Sequence, residues 1–390
     1  MTVKGEALKW VQAALSPQAP KALAIRRGSV VRVQAVQAVQ RGKTTEWQLA
    51  QWPQAEAAFV ALDPATGRVR ALVGGFEFNR QPFNHVTSAL RQPGSSFKPF
   101  LYASAFAQGV MPETLVEDAP LTDADGGVPS WNPQNSDGRF DGWMSVREAL
   151  VRSKNLVSIR LLKQIGLPAA REGIARYGFD MSKQPENLTL ALGTGSVTPM
   201  QMARAWAVLA NGGHRVEPVL IERIVDAQGQ VLFQAPPPVP LDESTRVVPE
   251  REVFLINTLL ADVTRRGTAA RAQASLRRPD LYGKTGTTND AVDAWFAGWA
   301  PGVAAVGWMG YDEPASLGER ESGGGLALPI WIDTMARALR GVPVRPLTPP
   351  EGVVSVGGDW RYAEWAEGGF VTRVGAAVAT PAPAASEATR

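Results

Sequence analysis

Two short runs in this chain hold side chains whose types and spacing suit acyl transfer. In Ser95-Ser96-Phe97-Lys98 a hydroxyl and an amine stand three residues apart. Pro93-Gly94 ahead of them suits a tight turn that feeds a helix through Phe100, Leu101 and Phe106. Residues i and i+3 share a helical face, so the Ser95 hydroxyl and the Lys98 amine are expected to be neighbours. A lysine kept neutral by burial and nearby positive charge takes a proton from a serine. Alone the match is weak, since about 0.4 Ser-x-x-Lys matches arise by chance in a chain of this composition; a surface serine beside a solvated lysine is the plain alternative. In the second run, Ser153-Lys154-Asn155, a loop between two helices projects Ser153 toward the Lys98 amine as a proton relay and Asn155 toward a substrate amide. Helix-capping residues are the plainer reading of that run taken by itself.

A third run, Lys284-Thr285-Gly286-Thr287, follows Leu281-Tyr282-Gly283 in a stretch of strand character. Gly286 leaves room for another backbone to lie along the strand, as a bound peptide requires. Lys284 supplies positive charge, and the Thr285 and Thr287 hydroxyls suit a carboxylate. An edge strand with an exposed lysine is the alternative. All three runs in this order arise by chance on the order of once in several thousand such chains.

Composition narrows the chemistry further. With no cysteine among 390 residues there is no thiol nucleophile, thiolate metal site or disulfide framework. Two histidines, His85 and His214, leave little from which to build a Ser/His/Asp triad or a zinc site, and neither is given a role. A net charge of +3 without blocks of like charge argues against nucleic acid as a partner. No metal and no cofactor is expected.

The elements that must position these residues are partly legible. Ser29 to Pro53 alternates apolar and polar positions, which predicts a β-rich N-terminal appendage over 1–55. Ala57–Leu62 and Val69–Val73 flank Asp63-Pro64-Ala65-Thr66-Gly67 as a hairpin opening the main domain, 56–345. A helix-rich middle follows. Ser145 to Glu148 and Thr198 to Gln201 each predict a capping box, with Gly212 and Gly213 ending the second helix and Gly166 ending one from Leu156 to Ile165. A further helix spans Glu250 to Val263. Strands are predicted at Tyr282–Thr287, Ala294–Trp299 and Val303–Tyr311, and a last helix at Pro329–Leu339 closes the domain. Hairpin, helices, three strands and a helix is an α+β order. Residues 346–374 form a C-terminal extension, and the Ala/Pro-rich stretch 375–390 a disordered tail. The tryptophans, Trp295, Trp299 and Trp308 among them, are expected in core and sheet packing, with Trp131 lining the cleft.

Ser-x-x-Lys, Ser-x-Asn and Lys-Thr-Gly together are the active-site triplet of penicillin-binding proteins and serine β-lactamases. From about Glu56 to Pro349 the chain resembles class A penicillin-binding proteins. The resemblance runs through Arg91 to Phe100, Trp131-Asn132-Pro133-Gln134-Asn135, Leu192-Gly193-Thr194-Gly195, Met202 to Ala205, Lys284 to Asp290, Asp293 to Gly298 and Gly324 to Trp331. It implies the penicillin-binding transpeptidase fold, an antiparallel sheet flanked by helices with a mostly helical subdomain. It also implies a DD-transpeptidase that cross-links peptidoglycan stem peptides and is acylated by β-lactams. Carried over motif by motif, Ser95 is the nucleophile, Lys98 the base, Ser153 the relay and Asn155 a substrate amide partner. Lys284, Thr285, Gly286 and Thr287 hold the carboxylate end, Trp131 and Asn135 belong to the substrate cleft, and the backbone amides of Ser95 and Thr287 form the oxyanion hole. Class A proteins begin with a cytoplasmic tail, a membrane helix and a glycosyltransferase domain, none of them visible here. The chain is therefore expected to be either a fragment of such a protein or a solitary transpeptidase. Its location is expected to be extracytoplasmic, with membrane attachment only through a parent's anchor and with cell-wall assembly proteins as further partners. A DD-carboxypeptidase is the runner-up, because water and an amine compete as acceptors. A β-lactamase lacks an assignable hydrolytic base, and a non-catalytic wall-binding scaffold has no need for the intact polar set.

Overall fold

The computed structural model describes residues 3, 5–36, 46–122 and 131–375. The chain divides into two compact units, Met1–Gln54 and Ala55–Arg390. In the first, a short helix α1 (Gln12–Leu15) precedes β1 (Arg32–Val36) and β2 (Glu46–Ala50), which pair antiparallel with Val33 opposite Leu49. Within 29–53 the described residues thus include two strands, with Leu49 and Val11 buried.

The second unit opens with the expected hairpin, β3 (Glu56–Leu62) and β4 (Val69–Val73). The Asp63 carboxylate accepts the Ala65 N–H at 2.9 Å inside the turn, and Gly67 takes a left-handed φ of 71°. Helix α2 (His85–Ser88) leads to a 3₁₀ turn at Gly94–Phe97 and then to α3 (Lys98–Ala107). Next come β5 (Val110–Asp118), β6 (Gly142–Ser145), α4 (Val146–Val151), α5 (Asn155–Ile165), α6 (Leu167–Ala175) and α7 (Pro199–Ala210). A hairpin of β7 (Arg223–Val225) and β8 (Val231–Gln234) precedes α8 (Glu250–Arg266) and α9 (Arg271–Leu276). Strands β9 (Tyr282–Thr287), β10 (Asp293–Ala300) and β11 (Val303–Gly310) are followed by α10 (Ala327–Ala338), β12 (Val353–Val356), β13 (Asp359–Tyr362) and β14 (Val371–Val374).

Among the described residues the main sheet has five antiparallel strands in the order β4-β3-β11-β10-β9. Helices α7, α8 and α10 pack against it, so the fold is α+β, an antiparallel sheet flanked by helices. Trp206, Trp295, Trp308 and Trp331 are wholly buried in its core. Apolar helix faces and Ala-rich, nearly continuous apolar strands explain the layering, because each element has a surface to remove from water.

Several expectations change. Ser145 accepts the Glu148 N–H at 3.2 Å, but the reciprocal half of that capping box is missing: Arg152 and Arg266 each hold the Glu148 carboxylate at 2.6 Å. At Thr198 the box is complete, 3.1 Å one way and 2.9 Å the other. The helix-rich middle contains two strands, β5 and β6, and α10 does not close the domain. Residues after it return to the helical region, where β14 pairs in parallel with β5, and β5 antiparallel with β6. Apart from Gly375, the Ala/Pro-rich tail lies outside the described residues. No helix among the described residues is long and apolar enough to cross a membrane.

Glu252, in the first turn of α8, is buried near Tyr177 and Tyr362, and burial pushes its carboxyl up to about 7 against the pull of Arg176 and Arg251. An acid raised on folding stabilises the protein below its unfolded value, and that stability fades as pH climbs toward 7. Glu252→Gln should flatten this dependence and exceed wild type by ~2–3 kcal/mol at pH 8, checked by urea melts at pH 4.5 and 8.

Candidate active site

Ser95 sits within the 3₁₀ turn, and Lys98 is the first residue of α3. This differs from the continuous α-helix expected: at three residues per turn i and i+3 are eclipsed, and the Lys98 amine makes its bonds to Ser153, Lys154 and Asn155. The turn is fixed from both sides. Arg91 exchanges 3.0 Å backbone bonds with Val197, and Gly94 N–H donates to Gly193 O at 3.1 Å. From the sheet, Trp295 Nε1 donates to Gln92 O at 2.8 Å, while Asp293 accepts Arg91 Nε at 2.8 Å and Trp308 Nε1 at 2.9 Å.

Gly94, at φ 54°, lies so close to Thr287 that a Cβ there would stand 2.8 Å from the Thr287 carbonyl oxygen. Gly286 faces the same turn, and a Cβ on it would meet Pro93 O at 2.3 Å. The close approach that makes glycine necessary in β9 is therefore made by the chain's own serine turn, not by space left for a substrate. β9 is still an edge strand of the sheet, and its free edge is where an extended peptide would add.

Lys98 is wholly buried. Its amine donates to Ser153 O at 2.8 Å, Lys154 O at 3.2 Å and Asn155 Oδ1 at 2.8 Å. Lys284, equally buried, donates to Ser153 Oγ at 2.8 Å and Thr285 O at 3.1 Å. The Ser153 hydroxyl, expected to face Lys98, thus faces Lys284, while its carbonyl takes Lys98. Lys284 is an interior amine and not the exposed cation of an edge strand. Burial pushes Lys284 down to about 7. Lys98 is held well below the ordinary lysine range, by burial first and then by the charge of Lys284, with Asp118 opposing. Both amines are thus displaced toward the neutral form.

Ser153 has φ 61°, left-handed for a residue with a Cβ. Its N–H bonds Leu150 O at 3.1 Å and the Lys154 N–H bonds Ala149 O at 2.9 Å, the paired bonds of a Schellman end to α4, with serine where glycine is usual. That conformation costs about 1–2 kcal/mol and turns the Ser153 carbonyl to one amine and its hydroxyl to the other. Capping and site geometry are here the same feature.

Asn155 begins α5, and its Nδ2 donates to Gln134 O at 2.7 Å. Asn135, expected to bind substrate, has another place. Buried, it donates to Asp118 Oδ1 and Arg139 O, both at 2.7 Å, and its Oδ1 accepts the N–H groups of Asn155 and Leu156 at 2.8 and 3.3 Å. All of its hydrogen-bonding capacity is used within the protein, so it orients the start of α5. Trp131 is half-buried and packs against the hydrophobic core.

Thr285 Oγ1 lies 2.7 Å from Thr268 Oγ1, and Thr287 Oγ1 accepts Gly323 N–H at 3.0 Å. A hydroxyl that accepts one bond keeps its hydrogen to donate, so Thr287 and one of the Thr268–Thr285 pair retain a donor for an anion. Thr268 and Gly323 escape sequence reasoning, for both stand in loops without periodicity. The signal for Thr268 was Gly267 at the end of α8, where a Cβ would meet Val151 O at 2.6 Å; this packs the end of α8 against the turn that carries Ser153.

A serine three residues ahead of a buried, depressed lysine, with hydroxyl donors across a strand edge, is the equipment of a serine acyl-transferase. Residues 57–330 match the family described as the penicillin binding protein transpeptidase domain, and the chain belongs to that family. It is similar to penicillin-binding protein 1A of Neisseria flavescens, with 43% identity over 337 residues that cover 86% of this chain and 41% of the relative. The chain thus spans well under half the length of that relative. Among solved structures, penicillin-binding protein 1A from Haemophilus influenzae has a TM-score of 0.76 at 34% identity, covering 82% of this chain and 55% of that one. PonA1 from Mycobacterium tuberculosis, in complex with penicillin V, has a TM-score of 0.65 at 29% identity, covering 80% and 84%.

Ser153→Gly separates the two roles of the left-handed turn. It should leave the melting temperature unchanged or raised, since glycine relieves about 1 kcal/mol of backbone cost, yet slow acyl transfer at the site about 10²-fold or more. Thermal melts beside acylation rates check this.

Proposed function

We propose that the chain is a serine-type DD-transpeptidase of peptidoglycan and works outside the cytoplasm. Ser95 Oγ attacks the carbonyl of the penultimate D-alanine in a stem peptide while the Lys98 amine takes its proton. The N–H groups of Ser95 and Thr287 stabilise the oxyanion, and the terminal D-alanine leaves as the amine, carrying a proton. An amine of a neighbouring strand then attacks the acyl-Ser95 ester, releasing Ser95 and forming the cross-link. The Thr285 and Thr287 hydroxyls, with Lys284 behind them, hold the terminal carboxylate. β-Lactams acylate the same serine, because their strained amide presents a carbonyl and carboxylate at similar spacing.

The observation that carries this reading is the pair of buried amines, Lys98 and Lys284, bonded to the carbonyl and hydroxyl of one residue, Ser153. Burying two lysines is costly, and proton exchange with Ser95 gives the arrangement a use. Penicillin V bound to the related PonA1 supports a β-lactam as ligand here.

Intact mass spectrometry with benzylpenicillin tests the nucleophile. Wild type should gain one acyl adduct, Ser95→Ala none, and Lys98→Met should acylate about 10²–10⁴-fold more slowly. With a D-Ala-D-Ala stem peptide and an amine acceptor, D-alanine should appear together with the cross-linked product. An adduct of equal yield on Ser95→Ala would sink the assignment, and D-alanine release without cross-link would make the enzyme a carboxypeptidase.

A further inference from the structure

We propose that Lys154, the central residue of Ser153-Lys154-Asn155, is a positioning residue for acyl transfer. Clamped by Asp118, Asp137 and Asp141, its ammonium fixes the backbone that seats the Lys98 amine and offsets part of the field of Asp118 there. The inference rests on Lys98 acting as the base of Ser95.

The Lys154 side chain is only 1% exposed, and Nζ lies 2.5 Å from Asp141 Oδ2, 3.0 Å from Asp137 Oδ2, 3.2 Å from Asp118 Oδ2 and 3.1 Å from Arg139 O. Its own carbonyl accepts from Lys98 Nζ, and the residues on either side supply the other two acceptors. The seat of the Lys98 amine is thus three consecutive residues tied down at the middle one. Asp118, at the end of β5, is wholly buried, and besides Lys154 it accepts Asn135 Nδ2 at 2.7 Å and the Asp141 N–H at 3.0 Å.

The charges that reach the Lys98 amine come from different elements. Lys284 on β9 disfavours a proton on it and Asp118 on β5 favours one. Tyr102 of α3 bonds Ser158 and stays neutral, because burial raises its hydroxyl. Asp137 and Asp141 are held ionised by Lys154 despite the partial burial of Asp137. A buried Asp118 stripped of its cation would draw a proton onto Lys98, because interior charges are poorly screened. With Lys154 in place that pull is reduced, and Lys98 remains able to accept the serine proton.

The test is the pH dependence of Ser95 acylation by benzylpenicillin, followed by intact mass spectrometry on the whole chain, for wild type, Lys154→Met, Lys154→Arg and Asp118→Asn. The expected result is opposite displacement of the acid limb: upward by about one pH unit for Lys154→Met, so about tenfold slower acylation on that limb, and downward for Asp118→Asn. Lys154→Arg keeps the charge and should restore the wild-type limb. Loss of rate in both variants with the limb unmoved would reduce Lys154 to a structural tie and overturn the inference. If Lys154→Met fails to fold, Asp118→Asn decides alone, a downward shift supporting the inference and an unmoved limb defeating it. A wild type that is not acylated at Ser95 would overturn the transpeptidase reading itself, whereas an acylated wild type whose variants keep its limb overturns only this one.

Discussion

Everything at the candidate site depends on two amines sharing one dry space. Lys98 and Lys284 are both buried, so desolvation pushes each amine toward its neutral form, and the charge of Lys284 pushes Lys98 further. A protonated amine needs three acceptors, and Lys98 has three, all from the Ser153–Asn155 turn. Those bonds favour its charge, while burial and Lys284 oppose it. The net direction is downward, toward the neutral amine that a general base requires.

That constraint explains the architecture around it. The serine turn belongs to the start of α3, the acceptors to the junction of α4 and α5, and Lys284 to an edge strand of the main sheet, so the site exists only where three separately built parts converge. Glycines set how closely they approach. Gly94, Gly193 and Gly286 stand at contacts between backbones where a Cβ would come within 3 Å of a carbonyl oxygen. Arg91 and Asp293, joined by Trp308, then tie the serine turn to the sheet. A shift of the turn by 1 Å would move Ser95 relative to both amines, and catalytic geometry does not tolerate that.

What could be read from the chain were features whose signals are local. The β3–β4 hairpin declares itself by its turn residues, α7 by Thr198 and Gln201, α5 by Gly166, and the three strands β9 to β11 by apolar runs broken at turns. The polar triplet was legible because its spacing is short. Features decided by distant partners were not. Glu148 left its expected capping bond because Arg266, more than a hundred residues away, competes for it. β5 and β6 were missed because their third strand, β14, arrives from the end of the described chain. Asn135 was read as a substrate contact, since nothing in its neighbours shows that Asp118 and the start of α5 take all its bonds. The left-handed turn at Ser153 was equally hidden, for serine gives no signal of positive φ.

Several of the places where local rules are broken meet at this site. A serine sits at a glycine's helix-end position, two lysines are buried, and a third is buried against three carboxylates. Elsewhere the domain has a full capping box at α7, apolar faces turned inward and Trp206, Trp295, Trp308 and Trp331 enclosed in the core, with buried Glu252 and left-handed Arg277 as departures. Backbone strain and desolvated charge each cost on the order of a kcal/mol or more, and a structure retains them only where surrounding packing over-determines the geometry. Here the surplus comes from the Trp-rich sheet core on one side and the α3–α5–α8 helical core on the other. The stable parts of the fold therefore hold Ser153 and the two amines in an arrangement that none of those residues would adopt alone.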